Sequence, residues 1–159
     1  LIETTQDGAV LKVKLNRPEK KNALTLAMYD ELVAALAKAS ADAGTRAVLL
    51  EGTPGVFTAG NDIGDFMENP PAGEDSPVFR FLLALVGFEK PLLAAVDGPA
   101  VGVGTTLLLH CDMAWADTTA KFRMPFVTLG LCPEGASSLL LPRMVGHARA
   151  AELLMFGDA

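Results

Sequence analysis

Four places in this chain combine residue types that could do chemistry. The first is Glu134, set in Leu131-Cys132-Pro133-Glu134-Gly135-Ala136. Its neighbours are small or apolar, so a carboxylate there would be partly dry, with a pKa raised toward that of a general base. The plainer alternative is a glutamate favoured by the dipole at a helix start, since the stretch from Glu134 to Arg143 reads as a helix. The second place is Gly102-Val103-Gly104-Thr105-Thr106-Leu107. A dinucleotide fingerprint would need a third glycine where Leu107 stands and a strand leading directly into Gly102, and both are lacking. Two readings stay open: glycines that let a helix pack closely, or backbone N–H groups of a first helical turn aimed at a developing oxyanion. The third is the glycine turn Gly60-Asn61-Asp62, where Asp62 reads as a local cap rather than a catalyst. The fourth is the densest basic cluster, Arg17, Lys20 and Lys21, which is either a solvated turn or the landing place of an anionic ligand tail.

Other chemistries find little support. Gly135-Ala136-Ser137-Ser138 does not make a nucleophile elbow. His110 and His147 read as core or surface histidines. Cys111 and Cys132 are too few for a disulfide framework or a zinc cluster, and both sit among apolar residues as small hydrophobes.

The elements that must position these residues follow from the hydrophobic pattern. Leu11, Val13 and Leu15 alternate with Lys12 and Lys14, the period of a strand with one wet face. Asp7-Gly8 before it is a turn signal, so Ile2–Thr5 is expected to pair back. Thr25 caps a predicted helix running to about Ser40, with Met28, Leu32 and Leu36 four apart. Residues Ala47 to Gly52 and Leu92 to Val96 read as strands apolar on both faces, the mark of a buried parallel sheet. Val78, Phe79, Leu82, Leu85 and Val86 form a helical stripe. Thr105–Leu109 suits a buried helix, Met113–Ala116 and Lys121–Met124 suit short strands, and Ala148 to Met155 a last helix. Glu68 to Pro77, with three prolines, a glycine and three acids, is expected to be a mobile surface loop. Alternating strands and helices give an α/β fold, whose ligands bind beyond the carboxyl ends of the parallel strands. Both glycine turns fall there.

Composition bounds the partners. The 159 residues are 50% apolar and 20% charged, which excludes a disordered chain. A net charge of −6 argues against a broad nucleic-acid surface, whose affinity rests on many cations at phosphates. No apolar run reaches the length of a membrane span, so no transmembrane helix and no membrane partner are expected, and no signal-peptide pattern is visible at the start. The mean hydropathy of +0.33 is high for so short a chain and points to a large core or to apolar surface that meets something else.

Taken together, Leu15-Asn16-Arg17-Pro18 with Asn22-Ala23-Leu24, Phe57-Thr58-Ala59-Gly60-Asn61-Asp62-Ile63, and Val96-Asp97-Gly98-Pro99-Ala100-Val101-Gly102-Val103-Gly104 followed by Cys111-Asp112 resemble the crotonase superfamily, the enoyl-CoA hydratase/isomerase fold. The resemblance implies an α/β ββα spiral acting on acyl-CoA thioesters, with residues 1–159 as the core domain. It also implies that the C-terminal helices which close the acyl pocket and build a homotrimer or dimer of trimers lie outside this chain. No cofactor is implied, because coenzyme A is part of the substrate. The backbone N–H groups of Asn61 and Val103 take the family's oxyanion-hole positions. Arg17, Ala23, Leu24, Ala59, Asp62, Ile63 and Gly102 fall in its substrate-binding stretches.

Within that superfamily the two glutamates typical of hydratases are missing: Thr106 and Phe126 stand in their places. The segment Leu131 to Ser138 instead resembles the peroxisomal-type Δ3,Δ2-enoyl-CoA isomerases, in which the glutamate after the proline, Glu134 here, is the single acid/base. That implies a cytoplasmic, bacterial-type enzyme or a peroxisomal one. Alternatives within the resemblance are an atypical hydratase, another thioester enzyme, or a non-catalytic acyl-CoA binder.

Overall fold

Strand β2 (Val10–Leu15) buries Leu11, Val13 and Leu15 and leaves Lys12 and Lys14 half-exposed, and β1 (Ile2–Asp7) pairs with it antiparallel from Ile2 opposite Leu15 to Asp7 opposite Val10. The hairpin is longer than the expected Ile2–Thr5, because Gly8 adopts a φ of +57° and closes a two-residue turn with Ala9. The computed structural model describes residues 1–70 and 73–157.

Helix α1 (Leu26–Ala41) starts where Thr25 Oγ1 accepts the Met28 N–H at 3.3 Å, and it buries Met28, Tyr29, Leu32, Ala35, Leu36 and Ala39 along one stripe. The chain then enters β3 (Ala47–Glu51), turns through the Gly60 segment into the short α2 (Ile63–Glu68), and forms α3 (Pro77–Val86), capped by Ser76. Residues 71 and 72, part of the expected loop, lie outside the described residues. Strands β4 (Leu92–Val96) and β5 (Pro99–Val101) lead into α4 (Val103–Thr106), which tightens into a 3₁₀ turn over Leu107–His110. Strands β6 (Met113–Ala116) and β7 (Lys121–Arg123) precede α5 (Ser137–Val145) and α6 (His147–Ala151), the latter passing into a π turn at Glu152–Phe156.

The main sheet runs β1-β2-β3-β4-β6, with β2, β3, β4 and β6 mutually parallel, and β5 and β7 make a second, two-stranded parallel sheet. The expectation for the two central strands needs correcting. Strands β3 and β4 are not buried on both faces: Val48, Leu50, Leu92, Ala94 and Val96 are buried, while Leu49, Glu51, Leu93 and Ala95 are half-exposed. The row Lys12, Leu49, Leu93, Met113 runs across the less covered face in register. The principal core lies on the opposite face and joins the sheet to α1, α3 and α4, and a smaller one gathers Met124, Phe126, Leu141 and Ala150 under α5 and α6.

The helix expected from Glu134 begins three residues later, at Ser137. Gly135 and Ala136 both take left-handed backbone, φ +60° and +53°, which cannot propagate an α-helix. Glu134 therefore stands in a loop, and the helix-dipole reading does not account for it.

Candidate active site

The site is built from two glycine turns laid side by side. Thr58 N donates to Pro99 O at 3.0 Å and Val101 N to Thr58 O at 3.0 Å, so the segment leading to Gly60 runs alongside β5. Gly60 has a φ of +90°, and a Cβ there would lie 2.8 Å from Val101 O, so only glycine allows this approach. Likewise a Cβ at Gly104 would meet Thr58 Cγ2 at 2.4 Å, which draws the start of α4 against the same segment.

These turns leave two amides free. Leu24 N donates to Gly60 O and Asp62 N to Leu24 O, each at 2.8 Å, and this parallel bridge turns the N–H of the residue between them, Asn61, to the other side. Val103 is the first residue of α4, where helix geometry supplies no acceptor for its N–H. Among the described residues neither N–H has an intramolecular acceptor.

Glu134 is held from α4. Thr106 Oγ1 donates to Glu134 Oε1 at 2.5 Å, while Oε2 is buried and has no protein partner among the described residues. His110 Nε2 lies 2.9 Å from Gly135 O and clasps the next peptide. Burial pushes the Glu134 carboxyl above the ordinary glutamate range, against the smaller opposing effect of the Thr106 hydroxyl. Tyr29 of α1, fully buried, donates its hydroxyl to Asn61 Oδ1. Burial first, and then the Glu134 charge, push its phenol well up, so it stays a donor. Its ring packs on Phe81 of α3 with centroids 5.4 Å apart. Tyr29 of α1, Asn61 of the Gly60 turn, Val103 and Thr106 of α4, and Glu134 thus converge from four separate stretches of sequence.

The remaining expected residues frame this centre. Arg17 Nη1 donates to Asp62 Oδ2 at 2.6 Å and to Ala23 O at 2.9 Å. The Arg17 guanidinium, and next the Asp65 N–H, hold the Asp62 carboxyl below its usual range. Asp62 Oδ1 caps α2 by accepting that N–H at 3.2 Å, as its position in the turn suggested. Ala59 N donates to Lys21 O, and buried Leu24 forms the bridge to Asn61. Gly102, at φ +56°, opens α4, and Ile63 projects outward at the start of α2. Lys20 and Lys21 are exposed. Buried Asn22, also at positive φ, ties the Arg17 turn to the strand-leaving loop: it accepts from Arg17 N and donates to Thr53 Oγ1, Val56 O and Phe57 O.

Sequence reasoning missed Tyr29 as a site residue and saw Thr106 only as the place of an absent glutamate. Thr106 could have been suspected, since a hydroxyl one turn after a glycine helix start points along the same helix face. Nothing local marks Tyr29, which reads as one more apolar position on the α1 stripe.

The profile of the Enoyl-CoA hydratase/isomerase family matches residues 5–159. The chain belongs to that family. It is 41% identical to Enoyl-CoA delta isomerase 2 of Rattus norvegicus over 98% of its own length and 41% of that protein's. It is 36% identical to Enoyl-CoA delta isomerase 3, peroxisomal, of Mus musculus over 99% of its own length and 51% of that protein's. A solved structure of OdaA from Pseudomonas aeruginosa superposes with a TM-score of 0.95 at 56% identity, across 99% of this chain and 64% of that one. The α/β crotonase-type architecture inferred from the motifs is therefore the architecture of this enoyl-CoA hydratase/isomerase family member. The chain spans less than two thirds of the length of each of these three relatives.

Proposed function

We propose that this site belongs to an isomerase that moves the double bond of a 3-enoyl-CoA to the 2-trans position. The observation that carries the reading is the Glu134 carboxylate, with Oε1 hydrogen-bonded and Oε2 buried without a partner among the described residues, in a site that also has two backbone N–H groups without an acceptor among those residues. Glu134 Oε2 takes a proton from C2 of the acyl chain, and the C–H electron pair moves into a dienolate whose negative charge rests on the thioester oxygen. The N–H groups of Asn61 and Val103 hold that oxygen, each donor contributing about 3 kcal/mol at the transition state. Glu134 then returns the proton to C4, the double bond settles between C2 and C3, and the carboxylate is regenerated. No second acid is needed, and coenzyme A enters only as part of the substrate. Hydration would ask for a group to activate water as well as one to protonate carbon, work commonly shared by two carboxylates. The similarity to the rat and mouse enoyl-CoA delta isomerases supports the isomerase over the hydratase.

The reading extends to the rest of the molecule. Residues 1–159 form the core domain, and the full-length protein assembles as a homotrimer or a dimer of trimers, in the cytoplasm or the peroxisome. Arg17, Ala23, Leu24, Ala59, Asp62, Ile63 and Gly102 line the path of the acyl-CoA. The deciding experiment is Glu134→Gln in the full-length protein. Turnover of 3-enoyl-CoA should fall by roughly two to four decades, while acyl-CoA binding stays close to that of the wild type. Unchanged turnover would remove Glu134 as the base and move an atypical hydratase or a non-catalytic binder ahead.

A further inference from the structure

Helix α4 has two adjacent threonines whose hydroxyls have different partners. Thr105 Oγ1 lies 2.6 Å from Ala100 O and 3.1 Å from Arg123 O, so main-chain carbonyls satisfy it and it fastens α4 to both strands of the small sheet. Thr106, wholly buried, places its Oγ1 2.5 Å from Glu134 Oε1 and only 3.4 Å from the carbonyl of Val103 in its own turn. A hydroxyl has one proton to give. The short distance and the charge of the acceptor direct it to the carboxylate. The Glu134 loop is pressed onto the same residue from behind. A Cβ at Gly135 would come within 3.3 Å of Thr106 Cβ, and His110 holds the Gly135 carbonyl from the following 3₁₀ turn.

We infer that Thr106 is a positioning residue for the reaction: its hydroxyl fixes Glu134 Oε1 and so leaves Oε2 as the oxygen that exchanges the substrate proton. The inference rests on Glu134 being the base. Because Thr106 ends the four-residue helix that begins at Val103, one rigid turn sets both the oxyanion donor and the rotamer of the base. The charge around Glu134 is sparse. From α1 it meets Tyr29, whose buried phenol stays protonated, and from the 3₁₀ turn His110, which contacts the Gly135 carbonyl rather than the carboxylate. Among the described residues no cation pairs with Glu134. The Thr106 hydroxyl is the group that favours the ionised carboxylate against burial.

The test uses the full-length protein with Thr106→Val, which keeps the shape and deletes the hydroxyl, and Thr106→Ser, which keeps the hydroxyl. Turnover of a 3-enoyl-CoA is followed across pH, and the Glu134 carboxyl carbon is titrated by NMR. Thr106→Val should move the acid limb of the profile and the NMR titration to higher pH. It should also lower plateau kcat by roughly ten- to a hundredfold, the range for a slightly misplaced reacting group, with KM little changed. Thr106→Ser should restore the wild-type midpoint. Thr106→Ala gives the same comparison if the valine variant does not fold. A hydroxyl-free variant with the wild-type midpoint, or a folded serine variant that fails to restore it, overturns the role of Thr106. If Glu134→Gln abolishes turnover while the Thr106 midpoints stay put, this inference alone is lost. If Glu134→Gln turns over normally, the base assignment itself is lost.

Discussion

Glu134, the proposed base, carries a cost to the fold. Its carboxyl titrates above the ordinary glutamate range in the folded chain because burial disfavours the charged form. The sign follows directly: below the unfolded value the group is neutral in both states, and as pH rises through the folded value the native state loses stability relative to the unfolded one. Glutamine at this position is never charged and can still accept the Thr106 hydroxyl. Glu134→Gln is therefore expected to be more stable than the wild type at neutral pH by about 1 kcal/mol, comparable to relieving one poorly satisfied buried polar group. Chemical denaturation of the two proteins should show that gap at neutral pH and show it closing as the pH approaches about 4, the unperturbed glutamate value. A substitution that stabilises the fold and abolishes turnover marks a residue kept for function. The sequence made Glu134 visible through its small and apolar neighbours. It did not reveal the partner of Oε1, because Thr106 lies 28 residues away and only the folded chain brings the two together.

At the scale of elements, the readable parts were those whose pattern is local. The alternation in β2, the Thr25 cap and the four-residue spacing along α1 each report a backbone geometry decided within a few residues. The start of α5 was misplaced because two successive left-handed residues, Gly135 and Ala136, hold the chain out of the helix, and an alanine gives no warning of that conformation. The latch between α1 and the Gly60 turn was likewise invisible. Tyr29 donates to Asn61 Oδ1 across 32 residues, so the Asn61 side chain has its own task beside the one proposed for its backbone N–H. Tyr29→Phe keeps the packing against Phe81 and strands Oδ1 without its donor. It should cost about 1 kcal/mol of stability, and Asn61→Ala a similar amount. The two changes should not add in a double-mutant cycle, since each removes the same bond. Additive effects would mean the two side chains act independently. The amide at the head of α4 allows a sharper comparison: Val103→Pro deletes one backbone N–H and should lower turnover by about two to three decades. Near-normal kinetics in a folded Val103→Pro protein would remove that amide from the mechanism.

The whole molecule carries more apolar surface than its core needs. The exposed large side chains crowd the last third of the chain, where Val127, Leu129, Leu131, Leu139, Met144, Val145, Met155 and Phe156 are all open. An apolar groove of about 850 Å³ runs between the 3₁₀ turn after α4, β7 and the last helices, with Leu108, Phe122, Leu141, Met144 and Phe156 among its walls. The mean hydropathy had already signalled this excess, though not its place: amphipathic periodicity tells which face of a helix is apolar and not what covers it. Large open apolar surfaces mark places that meet another protein, a membrane or a ligand. In the proposed trimer or dimer of trimers, a charge in this band works against assembly while leaving the Glu134 site intact. Met144 is 57% exposed and lies on α5, seven residues beyond its start. Met144→Lys should therefore leave the chain folded, because no core contact is removed, and should shift the full-length protein toward smaller species at micromolar concentration. Sedimentation velocity of the two proteins reads this directly. A wild type that sediments as a monomer would overturn the assembly, and a lysine variant with the wild-type distribution would place the contact surface elsewhere on the molecule.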